Sequence, residues 1–333
     1  MKAFIVEKYD KKLKLKLTDL QTPVIKNDEV LVEVYAAGLN LLDSKIKAGE
    51  FKMLLPYQLP LVLGHDVAGV ITQVGNAVKQ FKVGDEIYAR VADFHIGTLA
   101  EYIAIQEQDL ALKPANISME EAASLPLVAL TAWQALVETA ALKAGQKVFI
   151  QAGSGGVGTV AIQLAKHLGA TVATTASEKS FETLKKLGAD VLIDYKKENF
   201  EAALSDYDVV LNSQDKKTLE KSLRITKAGG KVISISGPPT PEFAKAIGAN
   251  FILKTILSLI SFGVRSLAKK RSVDYSFLFM RANGAQLQKI SALIENGTIV
   301  PVVDQIYPFG ETNAALSYVE SGRAKGKVVV KMK

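Results

Sequence analysis

The sequence predicts an α/β protein in which a β-barrel-like domain precedes a doubly wound parallel sheet. Residues 1–120 carry many short strand patterns between Gly, Pro, Asn and Asp clusters, without regular helices. From about residue 120 to 240, strand and helix patterns alternate instead. A strand pattern at 148–152 ends in a glycine-rich turn that restarts as a helix. We therefore expect two domains, residues 1–120 completed by 285–333, and residues 121–284.

The first domain is defined by its strand patterns. They occupy residues 1–6, 13–17, 29–35, 66–74, 85–89 and 100–105. Lysines 12, 14 and 16 alternate with leucines, which is typical of a half-buried strand whose lysines face solvent. Ser118 and Glu121 have capping-box spacing, so we expect a helix to begin there.

The second domain is defined by alternation. Strand candidates lie at 148–152, 171–176, 191–194, 207–211 and 231–236, with helices at 157–168 and 179–187. The last stretch, 297–333, returns to strand-like sequence and ends in the apolar run 327–330. We expect this tail to rejoin the first domain.

Composition limits the possible chemistry. The 333 residues are 48% hydrophobic and 23% charged, which is ordinary for a globular protein. No cysteine is present, which excludes disulfides, thiolate zinc sites, cysteine nucleophiles and iron–sulfur clusters. The N-terminus reads as a strand rather than a signal peptide, so we expect a cytoplasmic protein. The net charge of +7 we assign to solvated lysines rather than to nucleic-acid binding.

One segment fits neither domain pattern. Residues 251–262 are strongly apolar, and residues 265–271 are basic. The segment is either an interfacial helix or lid over an apolar pocket, or a packed helix with a basic exposed end, which we favour. Lys254 and Arg265 shorten the uncharged run below the ~20 residues that a membrane span needs, so we expect no transmembrane segment.

The glycine-rich turn has the spacing of a dinucleotide fingerprint. Gly153, Gly155 and Gly158 form G-x-G-x-x-G between a strand and a helix. Such glycines permit a tight turn, close approach to a diphosphate, and close helix–strand packing. The helix N-terminus then presents free N–H groups to phosphates.

The next strand indicates which dinucleotide binds. Residues 171–176 end without the carboxylate that holds the ribose 2′-hydroxyl of NAD. Ser177, Lys179 and Tyr195 offer instead a hydroxyl, an ammonium and a phenol, which suit a 2′-phosphate. Glu178 lies between them and can point either way. We expect NADP.

Several motifs resemble those of the medium-chain dehydrogenase/reductase superfamily. They lie at 62–70, 83–87, 122–126, 152–158 and 326–329, in family order along nearly the whole chain. The sequence most resembles the zinc-free quinone oxidoreductase and alkenal/enone reductase branch. The resemblance implies a GroES-like β-barrel domain, a Rossmann domain, an active site in the cleft between them, and a homodimer.

The resemblance also locates the metal position of zinc-dependent relatives. Asn40 stands where those relatives have a cysteine ligand, and the structural cysteine lobe is missing. His65 remains, but with Asp66 it is too little for a three-ligand site. We expect no metal, which disfavours a zinc alcohol dehydrogenase.

By resemblance, a set of residues lines the cofactor. Asn40, Lys45 and Thr131 are expected beside the nicotinamide or its ribose, and Gly156 and Val157 at the diphosphate. The nicotinamide side of the sheet is expected to be lined by Ile235, Gly237, Leu278, Phe279 and Met280. The sequence Asn212-Ser213-Gln214-Asp215 departs from the family pattern after the fourth strand.

The implied activity is hydride transfer from NADPH to a quinone or an α,β-unsaturated carbonyl, without a metal. Hydrogen-bond donors must then polarise the acceptor. Lys45 and Tyr57 are candidates by residue type, and no general acid is identified. The alternative is an NADPH-binding regulatory or nucleic-acid- or membrane-associated protein with little turnover, for which the basic cluster 265–271 is the only feature.

Overall fold

The structure, a computed structural model, describes residues 1–333. In chain order the strands are Lys2–Val6 (β1), Lys16–Asp19 (β2), Glu29–Leu39 (β3), Leu61–Val62 (β4), Asp66–Val74 (β5), Glu86–Arg90 (β6), Tyr102–Gln106 (β7), Leu110–Leu112 (β8), Lys147–Ile150 (β9), Thr171–Ala176 (β10), Val191–Asp194 (β11), Tyr207–Asn212 (β12), Thr226–Ser234 (β13), Asp274–Phe277 (β14), Val303–Pro308 (β15) and Lys327–Lys331 (β16). The helices are Leu41–Lys47 (α1), Met119–Ala123 (α2), Pro126–Trp133 (α3), Gly156–His167 (α4), Phe181–Lys186 (α5), Phe200–Ala203 (α6), Lys216–Ile225 (α7), Pro241–Ala246 (α8), Phe251–Lys270 (α9), Gly284–Glu295 (α10) and Thr312–Glu320 (α11).

The chain forms two compact units, residues 1–130 with 281–333, and residues 131–280. The sequence prediction placed the boundaries at 120 and 284. Helix α2 lies with the first unit because Gly38 of β3 packs against the backbone of Ala123 too closely for any Cβ. The start of α3 lies there too, since the Leu127 amide donates to Asp66 Oδ1 at 2.8 Å.

The first unit is built from antiparallel strands. Its larger sheet has the order β15-β16-β3-β5-β6-β8, with β7 also paired to β3, and a smaller sheet has the order β2-β1-β4. Strand β16 pairs with β3 and β15, so the tail does rejoin this unit. The predicted strand 13–17 was wrong in place, because β2 begins at Lys16, and of the nearby leucines Leu15 is buried while Leu13 is exposed.

The second unit is a six-stranded parallel sheet of order β11-β10-β9-β12-β13-β14. Numbered from β9, this is the doubly wound order 3-2-1-4-5-6. Its core packs Phe149 and Val210 of central strands against Leu219 and Leu223 of α7. In this sheet order, the crevice for a ligand lies at the carboxyl ends of β9 and β12. The predicted α/β fold class is confirmed.

Helix α9 covers the apolar–basic segment. It is the one helix long and apolar enough to cross a membrane by length and composition alone, with a mean hydropathy of 1.6 over 18 residues. Its buried residues are Leu257, Ser261, Val264 and Ala268, and the partly buried Leu253 and Leu267 also pack against the protein. The favoured interpretation was right about the exposed basic end and wrong about the apolar half, most of which is also exposed.

Candidate cofactor and active site

The glycine turn joins β9 to α4 as the fingerprint requires. Helix α4 begins at Gly156, with Gly155 as N-cap. A Cβ on Gly158 would lie 2.5 Å from the Ala152 carbonyl oxygen and 2.6 Å from the Gly153 Cα, so the helix approaches the turn only without a side chain. At Gly155 the nearest atom would be 3.4 Å away. The turn is therefore open at Gly155, where first-turn N–H groups can receive a diphosphate.

The carboxyl ends of β10 and β11 bring the predicted 2′-phosphate residues to one edge. Ser177 directly follows β10, Tyr195 directly follows β11, and the Tyr195 amide donates to the Ala176 carbonyl at 3.3 Å. Lys179 is exposed there, in a short 3₁₀ turn.

Two cations that the sequence reasoning missed complete this edge. Lys196 Nζ lies 6.0 Å from the centroid of the Tyr195 ring. Lys197 pairs with Glu178 at 2.5 Å, which neutralises the one carboxylate whose direction the sequence left open. The edge therefore presents cations and hydroxyls, which favours a 2′-phosphate.

A buried polar ladder links three strand ends at the crevice. Asn212 Nδ2 donates to Gln151 Oε1 at 2.7 Å, and Asn212 Oδ1 accepts from Ser234 Oγ at 2.6 Å. Gln151 also donates to Ser222 Oγ at 2.6 Å. The departure from the family pattern at Asn212 thus has a structural role, because this amide ties β9, β12 and β13 together at their carboxyl ends. The sequence around Asn212 alone did not indicate this role, because its hydrogen-bond partners are distant in the chain.

The ladder also positions the turn after β13. The Gly237 amide donates to Ser234 Oγ at 2.7 Å, and a Cβ at Gly237 would lie 2.6 Å from that hydroxyl and 2.7 Å from Tyr275 Oη. The Ile235 amide donates to the Asn212 carbonyl at 3.0 Å. Both predicted residues therefore lie at the carboxyl edge beside the crevice.

The other predicted nicotinamide residues follow or flank this edge. Strand β14 ends at Phe277, so residues 278–280 directly follow the carboxyl end of that strand. Leu278 donates its amide to the Ser234 carbonyl at 2.9 Å, and the Phe279 ring lies 5.7 Å from that of Phe243. Thr131 is buried in α3.

In the first unit, the Lys327 ammonium lies beside Asn40, which stands at the metal-ligand position of zinc-dependent relatives. Lys327 Nζ donates to Asn40 Oδ1 at 2.6 Å, to the Leu39 carbonyl at 2.9 Å, and to Asp66 Oδ2 at 3.1 Å. Asn40 Nδ2 also donates to Asp66 Oδ2 at 2.9 Å. Lys327, Asn40 and Asp66 are all buried.

These residues do not fit a zinc ion. Asn40 offers an amide oxygen that an ammonium already uses, and a second cation beside Lys327 would be repelled. His65 Nδ1 lies 2.6 Å from Asp43 Oδ1, while its Nε2 is buried without a partner. No group of three or more metal-ligating acidic, histidine or cysteine side chains forms. The Asp43–His65 pair is therefore not part of a three-ligand metal site, and the positive charge near Asn40 comes from Lys327.

Neither of the two candidate donors, Lys45 and Tyr57, has its polar group paired with another side chain. Lys45 lies in α1 and is half-buried without an ion pair, whereas Lys47 of the same helix pairs with Glu320 at 3.0 Å. The Tyr57 ring packs 5.5 Å from that of Phe94, and its buried hydroxyl has no hydrogen-bond partner. Burial raises the pKa of the Tyr57 phenol well above its usual value, with Asp93 adding to the effect. The phenol therefore stays protonated at neutral pH and has a hydrogen bond to give.

Comparison with known proteins agrees with the two domains described above. Residues 26–115 match the alcohol dehydrogenase GroES-like domain family, and residues 187–330 match the family described as zinc-binding dehydrogenase. A chloroplastic NADPH-dependent alkenal/one oxidoreductase of Arabidopsis thaliana is 40% identical over 341 residues, covering 99% of this chain and 79% of that protein.

Solved structures give the same result. A quinone oxidoreductase from Coxiella burnetii superposes with a TM-score of 0.87 at 30% identity, over 100% of this chain and 99% of its own. An Escherichia coli quinone oxidoreductase complexed with NADPH gives 0.84 at 25% identity, over 100% of both chains. The chain is therefore a member of the medium-chain dehydrogenase/reductase superfamily, in its branch of quinone and alkenal/enone oxidoreductases.

Proposed function

We propose that this protein is an enzyme that uses NADPH to reduce quinones or α,β-unsaturated carbonyl compounds without a metal ion. The observation that carries the proposal is the Asn40–Lys327–Asp66 cluster, which fills the metal-ligand position in a chain that keeps the dinucleotide turn. The named activities of its relatives support reduction over the regulatory alternative.

The second unit supplies most of the cofactor contacts in this proposal. The N–H groups of Gly156 and Val157 receive the diphosphate, and close approach occurs at Gly155. The 2′-phosphate is held by Ser177, Lys179 and Tyr195. The nicotinamide half is lined by Thr131, Ile235, Gly237, Leu278, Phe279 and Met280, with Asn40 and Lys45 from the first unit. When bound, NADPH supplies the hydride.

Tyr57 is the proposed donor to the acceptor's oxygen. Reduction leaves negative charge on the oxygen of an enone or quinone, and a preorganised donor stabilises that charge. The Tyr57 hydroxyl meets this need because it is protonated and unpartnered. Lys45 is free to add a positive charge beside the same oxygen or the ribose.

Turnover assays test the proposal. The purified protein is mixed with NADPH or NADH and a panel of quinones and short enones, with and without a chelator, and loss of nicotinamide absorbance is followed. We expect turnover with NADPH that the chelator leaves unchanged. Lack of turnover with every acceptor would refute the enzymatic proposal.

A pair of glycine variants tests the cofactor site. Gly155→Ala meets no protein atom closer than 3.4 Å, so we expect a normally folded protein with at least about tenfold weaker NADPH binding. Gly158→Ala meets backbone at 2.5 Å and should lower the melting temperature as well. Unchanged NADPH affinity in Gly155→Ala would contradict the assigned diphosphate contact.

Assembly and location are proposed from resemblance. We propose a homodimer, to be checked by light scattering on the purified protein, and a cytoplasmic enzyme. Relatives carry chloroplastic or mitochondrial names, so the compartment varies within the branch.

A further inference from the structure

Helix α9 presents two opposite faces. Leu257, Ser261, Val264 and Ala268 recur at helical spacing and form its buried stripe. Val264 and Ala268 join the core of the parallel sheet, and Leu257 packs with α8 residues. The helix is therefore fixed along the protein surface by this face, to which the partly buried Leu253 and Leu267 add further contacts.

The opposite face is apolar and open to solvent. Its largest exposed side chains are Phe251 (82% exposed), Leu259 (70%), Ile252 (68%) and Phe262 (66%), with Ile256 and Ile260 also exposed. At 3.6 residues per turn, these six positions spread over an arc of roughly 180°. Six large apolar side chains exposed within twelve residues mark an interaction surface rather than scattered surface residues.

The charge on this helix has one sign. Between residues 251 and 273 there is no Asp or Glu, while five cations are present: Lys254, Arg265, Lys269, Lys270 and Arg271. Arg265 is tied to Ser258 and Ser261 on its own helix, and the other four form no ion pair with a carboxylate. An apolar face with an unneutralised basic end matches the surface of an anionic bilayer.

We propose that α9 docks the enzyme onto an anionic lipid surface, lying in the membrane plane. The apolar arc enters the boundary between headgroups and acyl chains, and Lys269, Lys270 and Arg271 contact lipid phosphates. The helix does not cross the bilayer, because its buried stripe is held in the protein core. This goes beyond the proposed function, since it concerns an enzyme's location and not its chemistry.

A second copy of the chain fits this face less well. A helix–helix seam needs only a narrow apolar stripe, whereas this arc spans roughly half of the helix circumference. Pairing α9 with its own copy also provides no carboxylate for the cations in either orientation. The open depression lined by Arg265, Lys269 and Asp274 contains a carboxylate, so the depression itself is not proposed as a phosphate site.

Vesicle flotation of the full-length protein tests the proposal. We expect binding to mixed phosphatidylcholine–phosphatidylglycerol vesicles that weakens with added salt, and little binding to pure phosphatidylcholine. A triple variant, Phe251→Ser, Leu259→Ser and Phe262→Ser, should lose binding. Replacing Lys269, Lys270 and Arg271 by Gln should weaken binding about 100-fold, at about fivefold per charge.

Matched controls separate docking from other causes. Replacing Lys11, Lys12 and Lys14 by Gln removes three exposed charges elsewhere and should leave vesicle binding nearly unchanged, as should Val83→Ser. All variants should keep the wild-type melting temperature and turnover of a water-soluble quinone. Binding needs no turnover, so failure of the catalytic proposal is seen separately.

Two outcomes would overturn the assignment. One is that the wild-type protein does not float with anionic vesicles at low salt, or that both α9 variants float as well as the wild type does. The other is a wild-type dimer that the apolar triple variant converts to monomers without any lipid binding, which would assign the face to a second copy.

Discussion

Removing the Lys327 ammonium should destabilise the first unit strongly. Lys327→Met keeps most of the aliphatic length and deletes three hydrogen bonds, to Leu39, Asn40 and Asp66. Asp66 is fully buried and would be left with only the Asn40 amide and the Leu127 N–H as donors. Breaking a buried ion pair from one side typically costs 3–5 kcal/mol, because the remaining charge is left without compensation. For a unit of this size that lowers the melting temperature by roughly 6–20 °C.

Thermal unfolding followed by circular dichroism measures the effect. The matched control is Lys331→Met on the same strand, whose ammonium pairs with Glu120 at 2.7 Å but whose side chain is 50% exposed. An exposed pair contributes at most about 1 kcal/mol, so this control should shift the melting temperature by only a few degrees. The double variant Lys327→Met with Asp66→Asn should recover part of the loss, since no buried charge remains. If Lys327→Met melts like the control, the ammonium does not compensate Asp66 and the account of the metal position is refuted.

Three further predictions concern the phenol, the cofactor and acid stability. Tyr57→Phe should lower kcat about 100-fold without lowering the melting temperature, because the lost hydroxyl has no partner in the fold; unchanged kcat would remove Tyr57 from the mechanism. Lys179→Ala should weaken NADPH binding about tenfold and leave NADH binding unchanged in fluorescence titrations, whereas Lys186→Ala should change neither. The hydrogen-bonded Arg224 guanidinium holds the pKa of Glu201 at about 2, below its usual 4.5. Its stabilisation is therefore complete above pH 4.5 and lost as pH falls toward 2. Glu201→Gln should lower the melting temperature at neutral pH and not at pH 2, and an equal loss at both would contradict this linkage.

The sequence was most informative where one residue type has one physical role. The glycines around 153–158 predicted the strand–turn–helix geometry, because backbone contact at Gly158 admits no side chain. The Ser118–Glu121 capping box is present at the start of α2. Alternating strand and helix patterns likewise predicted the parallel sheet, and the missing carboxylate after β10 predicted an edge suited to a 2′-phosphate.

Other features depend on partners distant in sequence. Nothing near Lys327 indicates that it neutralises Asp66, 261 residues away. Asn212 appeared only as a departure from the family, although its two bonds join three strands. Apolar residues in 251–262 predicted burial, but hydropathy alone cannot say which face of a helix meets the core. The roles of Lys45 and Tyr57 remain predictions for the same reason, since they depend on what the side chains meet and not on local pattern.

The position of β16 has a consequence for the order in which the protein matures during synthesis. Its partners in the first unit are β3 and β15, and Lys327 bonds to residues 287 and 288 positions earlier. The parallel-sheet unit is contiguous, residues 131–280, so all of its strands exist before residue 281 is added. The N-terminal strands are made first, but one edge of β3 stays unpaired until β16 is translated. A nascent chain is therefore expected to carry a complete cofactor-binding unit before its first unit can close, and unpaired β3 is the segment that is most exposed to mispairing in that interval.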